Sequence, residues 1–105
     1  MDNRNLHNHM AHLPPQMVEL LLKGAKGAYP KGTNVEKVLE ENGDLNPIGT
    51  KGIVLGSLEV PEIAAKEMQQ KSEFLSDKPL VKFMYYVLFD DTPTLLMDIK
   101  IKKAI

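Results

Sequence analysis

Residues 80–89 read LVKFMYYVLF, and how that run alternates decides the fold. In an extended segment Phe83, Tyr85, Val87 and Phe89 share one face, while Met84, Tyr86 and Leu88 share the other. Both faces are apolar or aromatic, the pattern of a central strand covered on two sides. Asp90-Asp91-Thr92-Pro93 follows as a hairpin turn, because aspartate side chains bond nearby backbone amides. Thr94 to Met97 returns as the next strand. Asp98-Ile99-Lys100-Ile101-Lys102 then alternates cleanly, which predicts further strand with two lysines on one face.

Upstream, Gly49 to Ser57 (GTKGIVLGS) is a second β-rich run with Ile53, Val54 and Leu55 at its centre. Glycine within a strand marks a bulge, a bend or a close backbone approach, so Gly49, Gly52 and Gly56, which bracket the run, predict such points. Thr33 to Glu40 (TNVEKVLE) gives another strand signal, separated from the glycine run by turn residues at Asn42-Gly43-Asp44 and Asn46-Pro47. Met17, Leu20 and Leu21 at helical spacing predict a helix over about 15–24. Pro14-Pro15 opens it and Gly24 and Gly27 end it. Residues 58–79 carry a weaker amphipathic pattern opened by Pro61, with Ile63, Ala64 and Met68 as the apolar positions; with five acids and three lysines between 59 and 78, the segment reads as solvated. Short strands with glycine corners predict a mainly β fold, a small partly open barrel of about five strands. An N-terminal helix precedes it, and a helical insertion separates its second and third strands. Residues 1–13 read as a polar tail and 14–105 as one domain.

The residues that carry a resemblance are Tyr29-Pro30-Lys31-Gly32-Thr33 with Val35, then Pro47-Ile48-Gly49-Thr50-Lys51-Gly52 with Val54 and Gly56, and finally Val87, Phe89 and Asp90. In this pattern the chain resembles a group of small uncharacterised bacterial and phage proteins, and more distantly the glycine-hinged strands of KOW domains. The resemblance implies an SH3-like barrel, with the helix at Met17–Lys23 as part of the pattern. It covers about residues 17–57 and 80–105. The insertion at 58–79 and Phe89 in place of a usual Trp depart from the group. No activity is implied, since that group has no established chemistry and such barrels host many functions.

The search for chemistry returns little. The glycines of Gly49-x-x-Gly52-x-x-x-Gly56 match neither a dinucleotide fingerprint nor a P-loop. Cysteine is absent, so thiolate chemistry and disulfides are excluded; the composition suits a reducing cytoplasm. His7, His9 and His12 are the chain's three histidines, and imidazoles at that spacing could approach a divalent ion. No carboxylate with suitable spacing accompanies them beyond Asp2, so a polar tail with no metal is the expectation. None of Ser57, Ser72 and Ser76 sits in a nucleophile-elbow context. Neither catalysis nor a cofactor is expected.

With 13 basic and 14 acidic residues the 105-residue chain carries a net charge of −1. Segments 1–33 and 79–105 total +2 and +1, whereas 34–58 and 59–78 each total −2. Phosphate binding concentrates cations on one face. Lys51, Lys82, Lys100, Lys102 and Lys103, with Tyr85 or Tyr86 to stack bases, would form that face, and the acidic middle dilutes it. RNA or ribosome association therefore ranks second to protein interaction, with an accessory role to an enzyme third. No apolar run is long enough to span a membrane. The expected interaction surface is Tyr29 and Tyr86 with Met68 and Phe74 of the insertion, facing an unknown protein partner.

Overall fold

Why this chain builds a curled sheet follows from how few residues join its outermost strands. The computed structural model describes residues 12–105. Its elements are α1 (Pro15–Lys23), β1 (Asn34–Lys37), β2 (Lys51–Glu59), α2 (Glu62–Lys71), β3 (Phe83–Phe89), β4 (Thr92–Met97), a 3-10 turn (Asp98–Lys100) and β5 (Ile101–Lys103). The strands form one antiparallel sheet in the order β4-β3-β2-β1-β5. In a flat sheet β4 and β5 would lie about 19 Å apart, four strand spacings. The 3-10 turn that links them advances only about 2 Å per residue. The sheet must therefore curl to bring its edges together at that end. No ladder joins β4 to β5, so the sheet is mainly β and curled but not closed.

The two faces of β3 divide the interior as the alternation predicts. Tyr85, Val87 and Phe89 pack inside the curl with Val35, Val54, Leu96 and Ile101. Tyr86 and Leu88 pack on the outer face with Leu55 and with Leu21 of α1, joined by Leu13, Met17, Val18 and Leu58. The chain's own helix thus covers the outer face. Each fully buried aliphatic or aromatic side chain contributes about 1.5–3 kcal/mol, so both layers matter to stability.

β2 serves both layers through a bulge. Its register with β3 shifts between Val54 and Gly56, so Leu55 and Gly56 both meet the outer layer. Leu55 fills that layer. At Gly56 α1 lies directly against the strand backbone: a Cβ there would lie 2.6 Å from the Leu21 carbonyl oxygen. Gly52 is equally constrained on the inner face, where a Cβ would stand 2.7 Å from Val87 Cγ1 and 2.8 Å from Phe89 Cδ1. Both glycines are close approaches, as their place within a strand predicts.

Two expectations need correction. The run from Asp98 is not strand throughout: Asp98–Lys100 is a 3-10 turn, and only Ile101–Lys103 pairs with β1. Lys100 is accordingly buried while Lys102 is exposed. In the insertion, α2 docks through Ala65, which is 2% exposed, and Ile63 is 82% exposed. Leu75 is also buried, so the segment is anchored in the fold rather than solvated throughout. Its two feet meet where the Val60 amide donates to the Lys82 carbonyl at 2.9 Å. At the β3–β4 hairpin, Phe89 pairs with Thr92 across a two-residue turn. Asp90 takes a positive φ of 53° there, which Asp tolerates better than most residues.

Candidate functional site

One opening lies where the insertion meets the end of the sheet. It is a groove of about 500 Å³ lined by Val60, Ala65, Leu80, Val81 and Phe83. Lys26 and Lys82 are balanced along it by Glu59 and Glu62. Such a surface is apolar with alternating charge, suited to a polypeptide rather than to a polyanion.

A smaller pocket of about 260 Å³ shares Phe83 with this groove and is completed by Gly27, Tyr29, Tyr85 and Asp98. Three aromatic rings line it. Tyr29 stacks on Tyr85 with centroids 5.5 Å apart, and Phe83 leans against Tyr85 at 6.1 Å. The Tyr29 amide donates to the Tyr85 hydroxyl at 2.9 Å, and the Lys103 amide donates to the Tyr29 hydroxyl at 3.3 Å. Burial pushes the Tyr85 hydroxyl above its usual range, against the lowering effect of the Tyr29 amide. Asp98 opens the 3-10 turn. Its Oδ2 accepts from the amides of Lys82 and Phe83 at 3.1 and 3.3 Å.

The densest charge cluster is structural. Lys37 and Lys100 are 2% and 6% exposed, yet both are satisfied. Lys37 Nζ donates to Asp44 Oδ2 at 3.1 Å and to the Asn46 carbonyl at 2.8 Å. Lys100 Nζ donates to both Asp44 oxygens, at 2.9 and 3.0 Å, and to Glu41 at 3.3 Å. Burial pushes the Asp44 carboxyl up, but the Glu41 amide and the two lysines outweigh it and hold the group at about 2. This cluster ties the 38–50 loop to β1 and the 3-10 turn.

No protein-family model, curated protein or solved structure matches the chain. Any functional reading therefore rests on geometry.

The four residues expected to form one interaction surface are dispersed. Tyr29 belongs to the inner layer and lines the small pocket. Tyr86 is buried in the outer layer, where burial raises its hydroxyl above the usual range. Met68 is half-buried on α2. Phe74 lies under two cations, with Lys78 Nζ 4.9 Å and Lys100 Nζ 5.6 Å from its ring. Tyr29 and Tyr86 do not meet in a groove. Of the lysines considered for RNA, Lys100 is enclosed by carboxylates and Lys51 pairs with Glu36 at 3.2 Å. His12 is exposed, and His7 and His9 lie outside the described residues. Among the described residues no cluster of three or more His, Cys, Asp or Glu is placed to hold a metal, and no helix is long and apolar enough to cross a membrane. Sequence reasoning missed Asp98, because its place in an alternating run disguised a turn.

Proposed function

We propose that this chain is a small non-catalytic SH3-like barrel that serves as a protein-interaction module, docking a polypeptide in the groove between the insertion and the sheet. The groove carries the reading: about 500 Å³ of apolar floor with two lysines and two glutamates along it. Concave apolar surfaces with a few polar groups are where ligands settle. The barrel assignment draws support from the curl, the bulge in β2 and the three-residue link between the outermost strands. The cysteine-free composition suits a cytoplasmic setting.

Affinity capture with the full chain from a lysate of its native host, with and without nuclease, tests the reading. The expected result is one stoichiometric protein, indifferent to nuclease and lost from the groove variant Leu80→Glu. Capture abolished by nuclease would instead favour the RNA-associated reading. Capture unchanged by Leu80→Glu would remove the groove from consideration.

A further inference from the structure

β4 and β5 are the two edges of the sheet, and they are guarded unequally. β5 is three residues long and ends in the exposed Lys102 and Lys103; short length and lysines are what keep a natural edge from pairing further. β4 runs for six residues, Thr92–Met97, without a charge, and its Leu95 is 43% exposed. Which backbone groups β4 offers follows from Pro93. Proline has no N–H, so Leu88 and Pro93 face each other without ladder bonds, and the alternation of an antiparallel ladder fixes the rest. Thr92, Thr94 and Leu96 bond to β3, while Pro93, Leu95 and Met97 turn their backbone groups to the open side. Among the described residues no hydrogen bond reaches the Leu95 or Met97 amide. The 38–50 loop meets β4 on its inner face instead, where Thr94 Oγ1 donates to Asn46 Oδ1 at 3.4 Å. Met97 is also the N-cap of the 3-10 turn, so its carbonyl already accepts that turn's first bond. The open side therefore presents donors on Leu95 and Met97 and acceptors on Pro93 and Leu95.

We propose that β4 pairs with β4 of a second copy of this chain, antiparallel about a twofold axis at Leu95. In that register each Leu95 amide donates to the Leu95 carbonyl of the other copy, and each Met97 amide donates to the other copy's Pro93 carbonyl. The N–H that Pro93 lacks falls opposite the Met97 carbonyl, the one acceptor already taken. Every remaining group is matched, so the strand complementary to β4 is β4 itself. On the outer face the register sets Leu95 beside Leu95 and Pro93 beside Met97, apolar against apolar. It also puts the exposed Asp90-Asp91 tips of the two copies at opposite ends, where like charges do not meet. Pairing stops at two copies, because the edges then left outermost are both the guarded β5.

Sedimentation equilibrium and amide-resolved NMR of the full chain, from about 20 μM to about 1 mM, test it. Two six-residue edges bury less than the ~1,200 Å² of a stable interface, so the dimer should be weak and its population should follow concentration. Monomer and dimer should account for the sedimentation, and the Leu95 and Met97 amides should shift with the same midpoint. Leu95→Lys should weaken association at least about tenfold, since it sets two cations side by side across the axis. Met97→Pro should weaken it as well. Met97 has a φ of −70°, which proline favours, and its N–H makes no bond to β3, so the change deletes the donor and leaves the ladder whole. A chain that stays monomeric to about 1 mM overturns the proposal without any variant having to fold. So does a dimer whose concentration-dependent amides lie outside β4, or one that both variants leave unchanged. The chain alone is the sample, so capture from a lysate bears on the groove and not on this dimer.

Discussion

A single methyl group added at Gly56 has no free space to enter. Its Cβ would sit 2.6 Å from the Leu21 carbonyl oxygen and 2.9 Å from Leu21 Cβ, so α1 would have to lift from the sheet. Gly56→Ala should cost about 1–3 kcal/mol, as overpacking does, and lower Tm by roughly 5–15 °C in a domain of this size. An unchanged Tm by calorimetry would mean that α1 docks more loosely than described. Asp44 sets a different test. Its folded-state value of about 2 lies below the ordinary 3.8. The stabilisation is therefore fully present above the ordinary value and is lost as pH falls through about 2. It amounts to on the order of 2 kcal/mol. Asp44→Asn strips both buried lysines of their shared partner and should cost about 2–3 kcal/mol near neutrality. Urea unfolding of the two proteins should show that gap closing between about pH 4 and pH 2. A gap independent of pH would locate the stabilisation elsewhere.

Among the elements, α1 and α2 differ in how they are held. α1 places Leu21 at 1% exposure against the outer face of the sheet. α2 has Ala65 as its one buried residue, a far smaller anchor, backed by the bond from Gln69 Nε2 to the Lys78 carbonyl at 2.7 Å. Hydrogen exchange should find α2 amides opening at a lower free energy than those of β2 and β3, because local stability follows buried apolar contact. Equal protection would show that the insertion is part of the same cooperative unit. The same contrast explains what could be read in advance. β3 was legible because its alternation maps directly onto two real layers. The insertion was legible as helix, but its docking face was not, since Ile63 is larger than Ala65 and attracts the eye while tertiary packing chose the smaller residue. Asp98–Lys100 escaped because an alternating run is compatible with strand. The turn there is imposed by the curl, which is a property of the sheet and not of those three residues. The pocket at Asp98 was hidden for the same reason.

For the molecule as a whole, the insertion is an addition to a sheet that is complete without it. β2 and β3 are already in register from Glu59–Phe83 inward, and the Val60–Lys82 bond closes the feet of the insertion. Replacing residues 62–80 by a short Gly/Ser turn should leave the β-sheet circular dichroism intact. Tm should fall nonetheless, because the buried Leu75 is removed, the buried Val81 sits at the edge of the replacement and Phe74 no longer covers Lys100. Loss of the β signal would make the insertion an obligatory part of the fold. The groove would vanish in the shortened chain, along with any capture that depends on it.

The stacking of Tyr29 on Tyr85, with Tyr86 on the opposite face, also has a practical consequence for optical measurement. The chain has three tyrosines and no tryptophan, so these rings dominate its near-ultraviolet emission. Two report on the inside of the curl and one on the contact with the helix. Tyr86→Phe would leave emission from the interior alone, and the paired change Tyr29→Phe with Tyr85→Phe would leave emission from the helix contact alone. Melting each variant by fluorescence would tell whether the two layers come apart at one temperature or at two.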